Sequence, residues 1–288
     1  MLLRKLGTLF LLLHAVVAAS SLIGTWALYN LSEVPDWDYT ALTFWMGIAN
    51  VLTGVLSALL FMAAREGWKA AAILLTLCIV LAGGMELLGT TTGVPFGRYS
   101  YTDLFGPKFL GHVPYLIPPS WMMMLYPAMM LTELLLPRKR FWTLCGQRSD
   151  TSPSAIWELL LRAAAAGLIL TVWDFAMDPA MTTGFAYWQW HTEGGGFYGM
   201  PYINWLGWWF TGALVATVFW AVCGSWKGEW EPFAFVLYLV QGAFMAGLAW
   251  LYMRPLASLL WLIAVVILTA LVWKRLCAQP ELPQEVAA

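Results

Sequence analysis

Three carboxylates beside the ends of apolar runs give this sequence its most distinctive chemistry. Glu86 lies in MELLGTTTG, and Asp174 and Asp178 lie in WDFAMDPAMTTG. Ionisable groups inside apolar spans are costly and usually functional. Asp174 and Asp178 are four residues apart, so a helix places both on one face. Pro179 then limits how far that helix runs. Neighbouring carboxyls in an apolar setting can share a proton near neutrality, one acting as general acid and the other as base. Capping, or pairing with Arg98 or Lys108, is the structural alternative. Asn204 opens another apolar run beside Trp205, Trp208 and Trp209, where it either caps a helix or orients a water. Arg98 sits in a Pro-Phe-Gly-Arg-Tyr turn, suited to pairing with an acid or holding a carboxylate ionised.

Aromatic residues crowd the same regions: Tyr99, Trp121, Trp188, Trp205 and Trp208 belong to a dense cluster that also contains Phe96, Tyr101 and Trp190. Much of such a cluster is an interfacial belt. The rest has faces that suit a flat polyene or a developing cation. Asp-x-x-x-Asp also suggests a Mg²⁺-diphosphate site of the prenyltransferase kind, but a second Asp-rich motif is missing. His14, His112 and His191 lack HxxxH spacing, and Cys78, Cys145, Cys223 and Cys277 form no CxxC pair, so no metal site is inferred. His14 reads as a lone packing or hydrogen-bonded residue. There is no GxSxG, Rossmann fingerprint or P-loop, which argues against hydrolase, nicotinamide and ATP chemistry.

The elements that must hold these groups are membrane helices. Of the 288 residues 61% are hydrophobic and 11% charged, and mean hydropathy is +0.70. Soluble domains carry about 25% charged residues. The net charge of −1 gives no reason to expect a nucleic-acid partner. A helix needs roughly 20 apolar residues to span. Eight runs qualify, at about 6–29, 39–63, 70–89, 117–136, 155–177, 205–223, 233–250 and 255–273, the last two joined by a tight turn at Met253-Arg254-Pro255. The first run is expected to be a retained helix, not a cleaved signal peptide. The expected class is therefore an all-α integral membrane protein, a single multi-pass domain over 1–288 in the cell membrane.

Charge sets the expected orientation. Arg4, Lys5, Arg65, Lys69, Arg138, Lys139, Arg140, Arg148, Arg162, Lys227, Lys274 and Arg275 fall on one side, and only Arg98, Lys108 and Arg254 on the other. The positive-inside rule then makes both termini cytoplasmic. Two long, aromatic-rich loops, about 90–116 and 178–204, lie on the opposite side. Being poor in charge, they are expected to fold back into the membrane mouth. The loops resemble each other, TTGVPFGRYSY then GHVPYLIPPSW against TTGFAYWQW then GMPYINW. Each follows an acid-bearing span, which suggests a degenerate duplication of hairpins 70–136 and 155–223 facing each other across a cleft.

The strings beginning at Glu86, running through Thr92 to Thr102, Pro118 to Trp121, Trp173 to Pro179 and Tyr198 to Trp205 resemble the CruF-type carotenoid 1,2-hydratases. The resemblance covers about 86–209 and implies water addition to the terminal double bond of an acyclic carotenoid end, of lycopene or γ-carotene type, without a redox cofactor or metal. Protonation by a carboxylic acid gives a tertiary cation, which water captures. Asp174 or Asp178 is the expected proton donor. The other of the two would position water with Asn204, Glu86 would complete the catalytic acid cluster, and Arg98, Tyr99, Trp121, Trp188, Trp205 and Trp208 would surround the substrate. The carotenoid, about as long as the roughly 30 Å hydrocarbon core, would be taken from membrane lipids. The alternatives are a Mg²⁺-dependent prenyl or carotenoid transferase and a non-enzymatic carotenoid-binding protein.

Overall fold

The computed structural model describes residues 1–137, 153–191, 195–224 and 230–278. Arg138, Lys139, Arg140, Arg148 and Lys227, with Trp142, Cys145 and Trp226, lie outside the described residues. The chain forms long helices wherever apolar runs were expected: α1 (Leu2–Asn30), α2 (Tyr39–Glu66), α3 (Trp68–Thr92), α4 (Ile117–Leu135), α5 (Pro153–Met181), α6 (Ile203–Cys223), α7 (Pro232–Leu251) and α8 (Pro255–Cys277). All of these but α4 are long and apolar enough to cross a membrane. Such a set of helices is what a multi-pass membrane protein has.

The exception has a physical reason. Pro118, Pro119, Pro127, Ser120, Tyr126 and Glu133 lower the hydropathy of α4, yet fourteen of its 19 residues are buried. It packs against α2, α3, α5, α6, α7 and α8. A helix enclosed by protein need not be as apolar as one facing lipid. Its methionines, Met122 to Met124 and Met129 to Met130, fill the irregular space between these neighbours.

Local chemistry sets the helix ends near the site. Asp38 caps α2 by accepting a hydrogen bond from Ala41 N at 2.9 Å. Helix α3 is interrupted by a π-helical turn at Cys78–Ala82, which re-aims the last turns carrying Glu86. It stops at Gly93, whose φ of 86° supplies the left-handed exit. Helix α5 runs two residues past Pro179 to Met181, slightly further than expected. Helices α5 and α6 approach closely at Gly167, where an added Cβ would lie 2.4 Å from the backbone oxygen of Trp209.

The two long loops are more ordered than an all-α reading allows. Strand β1 (Tyr99–Tyr101) pairs antiparallel with β4 (Trp188–Trp190), in the register Tyr99↔Trp190, Ser100↔Gln189 and Tyr101↔Trp188. Two further strands, β2 (Lys108–Phe109) and β3 (Val113–Pro114), make a small hairpin within the first loop. The loops are thus locked together through backbone hydrogen bonds, with Thr102 N also donating to Tyr187 O at 3.0 Å.

Candidate active site

The short β1–β4 ladder organises the carboxylates. Alternate residues of a strand share a face, so Tyr99 and Tyr101 point the same way, as do Trp188 and Trp190. Both tyrosine hydroxyls donate to Glu86 Oε2, that of Tyr101 at 2.9 Å, and Trp121 Nε1 donates to Glu86 Oε1 at 3.1 Å. Opposite them, Trp190 Nε1 donates to Asp178 Oδ1 at 2.9 Å and Trp188 Nε1 to Asp178 Oδ2 at 3.3 Å. Each cross-strand pair therefore combines one donor to Glu86 with one donor to Asp178. The rings touch as well, with centroids 5.2 Å apart for Tyr99 and Trp190 and 6.0 Å for Tyr101 and Trp188.

Asn204 joins the second acid. It is the second residue of α6 and does not cap that helix. Its Nδ2 instead donates to Asp174 Oδ2 at 2.9 Å and lies 3.5 Å from Asp178 Oδ2. Asp174 Oδ1 is buried and has no hydrogen-bond partner among the described residues. Glu86, Asp174, Asp178 and Asn204 are all at most 3% exposed. The three carboxyls do lie on one side of the fold, but in two sets. Asp174 and Asp178 share Asn204, whereas Glu86 is held by phenols and an indole. The aromatic ladder is what connects the sets.

A cavity of about 370 Å³ runs beside this arrangement, within the usual range for small-molecule sites. Its wall includes Glu86, Tyr101, Trp121, Trp173, Trp188 and Trp208, with further surfaces from α1, α2 and α7. Trp121 and Trp208 stack at 4.2 Å with an interplanar angle of 14°. Asp174, Asp178 and Asn204 are not part of the wall, whereas Trp173, Trp188 and Trp208 are. Glu86 is thus the carboxyl that faces the cavity, and the aspartates sit behind aromatic rings. Burial, and then the charge of Glu86, pushes the Tyr99 and Tyr101 hydroxyls well above the ordinary phenol range, so both remain proton donors.

Other residues singled out by sequence take different places. Arg98 is exposed and makes no ion pair among the described residues, so it does not join an acid; Lys108 instead pairs with Asp103 at 2.8 Å. Trp205 packs edge-on against Phe175, at 4.9 Å, outside the cavity wall. His191 meets Ser100 at 2.7 Å on the exposed face of the ladder. Tyr101 and Trp190 are site residues that the sequence left among the general aromatics, and Trp173 entered only at the start of a resembling string. The Tyr-Ser-Tyr and Trp-Gln-Trp alternations are the signal that finds the first two. Among the described residues no three His, Cys, Asp or Glu side chains gather closely enough to hold a metal ion.

Comparison with known proteins adds the family. The profile described as carotenoid biosynthesis protein matches residues 46–269. The chain belongs to the carotenoid biosynthesis protein family. That stretch contains Glu86, both aspartates, Asn204 and most of the cavity wall, in agreement with the resemblance carried by the strings around them. A bisanhydrobacterioruberin hydratase from Haloarcula japonica is 33% identical over 137 residues, which cover 47% of this chain and 40% of that protein. The match thus spans well under half of that relative's length. No solved structure matches the chain.

Proposed function

We propose that this member of the family is a carotenoid 1,2-hydratase, a hydro-lyase that adds water to the terminal double bond of an acyclic carotenoid end. The observation that carries the reading is a carboxyl, Glu86, set in the wall of an aromatic, largely apolar cavity, in a chain of the carotenoid biosynthesis family. The hydratase named among its relatives supports the same class.

Hydration of an isolated alkene begins with proton transfer to the less substituted carbon. Glu86 is assigned that transfer because it faces the cavity. Tyrosine hydroxyls can donate or accept, so the Tyr99–Tyr101–Glu86 cluster can hold the proton on the carboxyl and release it to carbon. The resulting tertiary cation lies among the faces of Trp121, Trp173, Trp188 and Trp208, which attract positive charge. Asp174 and Asp178 lie behind those rings, where the one negative charge that such a close carboxyl pair can share stabilises the cation without adding to it as a nucleophile. Their expected role as proton donors thus passes to Glu86 in this proposal, and theirs becomes electrostatic. Water adds to the cation, and the oxonium returns a proton to the carboxylate. The cycle closes with net addition of one water and needs no other reactant.

The cavity takes one end of a polyene; the rest of a C40 chain would remain in lipid. Lycopene or γ-carotene in the cell membrane is the substrate class proposed. The direct test is expression of the chain in cells that accumulate lycopene or γ-carotene, with pigments examined by mass. A gain of one water is expected. Unchanged pigment, with the protein present in the membrane, would sink the reading in favour of a carotenoid-binding protein. Diphosphate release with sensitivity to EDTA would favour a transferase instead.

A further inference from the structure

The deep end of the cavity carries polar groups that the proton-transfer step does not use. Asn50 of α2 and Gln241 of α7 line the wall there. Asn50 lies eleven residues into α2, about 16 Å along the axis from Tyr39, and Gln241 lies ten residues before Leu251, about 15 Å from that end of α7. They face each other at one depth, with Asn50 Nδ2 donating to Gln241 Oε1 at 3.3 Å. A single bond between two carboxamides always leaves one carbonyl oxygen and one amino group uncommitted. Asn50 and Gln241 are at most 5% exposed, and the further side chain beside their carboxamides among the described residues is His14, within hydrogen-bonding reach of Gln241.

His14 of α1 stands behind them, fully buried and beside Gln241. Its Nδ1 lies 3.1 Å from the Asn50 backbone oxygen and 3.2 Å from Thr53 Oγ1. The carbonyl can only accept, and the Thr53 hydroxyl already donates to Ala49 O at 2.6 Å. Nδ1 therefore carries the hydrogen, and Nε2 presents a lone pair. That Nε2 is buried and makes no hydrogen bond of good geometry among the described residues, with the Gln241 carboxamide the group beside it. Buried polar groups are normally satisfied, and a cluster left open calls for a ligand that satisfies it. A hydrocarbon end cannot do so. A group with both a donor and an acceptor can.

We propose that Asn50 and Gln241, backed by His14, hold the oxygen that is added: first as water, then as the hydroxyl of the product. This rests on the hydratase reading above. The water oxygen forms its bond to the tertiary cation, loses one proton to the carboxylate that protonated the alkene, and stays between the two carboxamides as an alcohol. Asn50 and Gln241 are positioning residues in this scheme. Their part is the capture of the cation by water, whereas the proton transfer that forms the cation belongs to Glu86.

Reaction in D₂O separates the two steps. A cation that is not captured loses a proton and returns to alkene carrying deuterium, so deuterium in recovered pigment records protonation and alcohol records capture. Full-length protein in membranes is supplied with lycopene. For Asn50→Leu and Gln241→Leu, alcohol is expected to fall about tenfold or more while deuterium still enters the recovered lycopene. Gln241→Met, closer in shape, serves if Gln241→Leu fails to accumulate. Glu86→Gln should abolish both signals. Alcohol at the wild-type rate in the Asn50 and Gln241 variants, or alcohol and deuterium lost in parallel, would overturn the assignment. If wild-type protein yields neither alcohol nor deuterium, the hydratase reading has failed, and this assignment with it.

Discussion

At the scale of single residues, Glu86 and the aspartates have separable parts. Glu86 touches the cavity and receives three donors; Glu86→Gln is expected to lower hydration about 100-fold or more, read as product per membrane-inserted protein. Asp174 and Asp178 stand behind rings and share Asn204. Asp174→Asn and Asp178→Asn should each cost about tenfold or more; full activity in both stably expressed variants would remove the aspartates from the site. Tyr101→Phe deletes one donor to Glu86 and leaves its ring against Trp188. A loss of about threefold to tenfold is expected, with no loss of folded protein. The carboxylates were legible from their apolar setting. Which of them faces the cavity was not, because Asp174 and Glu86 occupy alike positions near helix ends, and only the packing of Trp173 and Trp208 tells them apart.

At the scale of elements, the β1–β4 ladder and the α5–α6 crossing do the positioning. The duplication of hairpins 70–136 and 155–223 is a proposal drawn from their loops, and the ladder can be read in its terms. In each hairpin a helix-end acid is followed by a strand whose alternate aromatic residues reach back to it: Glu86 with Tyr99 and Tyr101, and Asp178 with Trp188 and Trp190. The α5–α6 crossing depends on the missing side chain at Gly167. Gly167→Ala would drive a methyl group toward the Trp209 backbone and is expected to destabilise the protein by about 1–3 kcal/mol, measured as a lower midpoint of thermal unfolding in detergent. Since α5 carries both aspartates and α6 carries Asn204, activity should fall with it. An unchanged midpoint would mean that the helices do not cross this closely.

At the scale of the whole molecule, the proposed arrangement puts both termini in the cytoplasm and the carboxylate end of the bundle on the opposite face. Helix α4 also spans in this scheme, enclosed by its neighbours. Reporter fusions test it: a reporter active only in the cytoplasm should work when joined after Cys277, and one active only outside should work when inserted near His112. The reverse pattern would invert the protein and place the site at the cytoplasmic face. The cavity draws its wall from α1 to α7 and from the two loops, so it needs most of the bundle in place.

The amino-acid sequence by itself determined the helices, the family and the residues most able to do chemistry. Those properties are local: a run of apolar residues needs the same length to cross a bilayer whatever lies beside it, and a short motif carries its residues with it. The tertiary structure alone decided that Tyr99 meets Trp190, that Glu86 faces the cavity while Asp174 does not, and that Asn50 of α2 meets Gln241 of α7. His14, which in the sequence looks solitary, gains its meaning from the same packing. These contacts join segments far apart along the chain. Each depends on how whole helices turn and cross, which no pattern of neighbouring residues specifies.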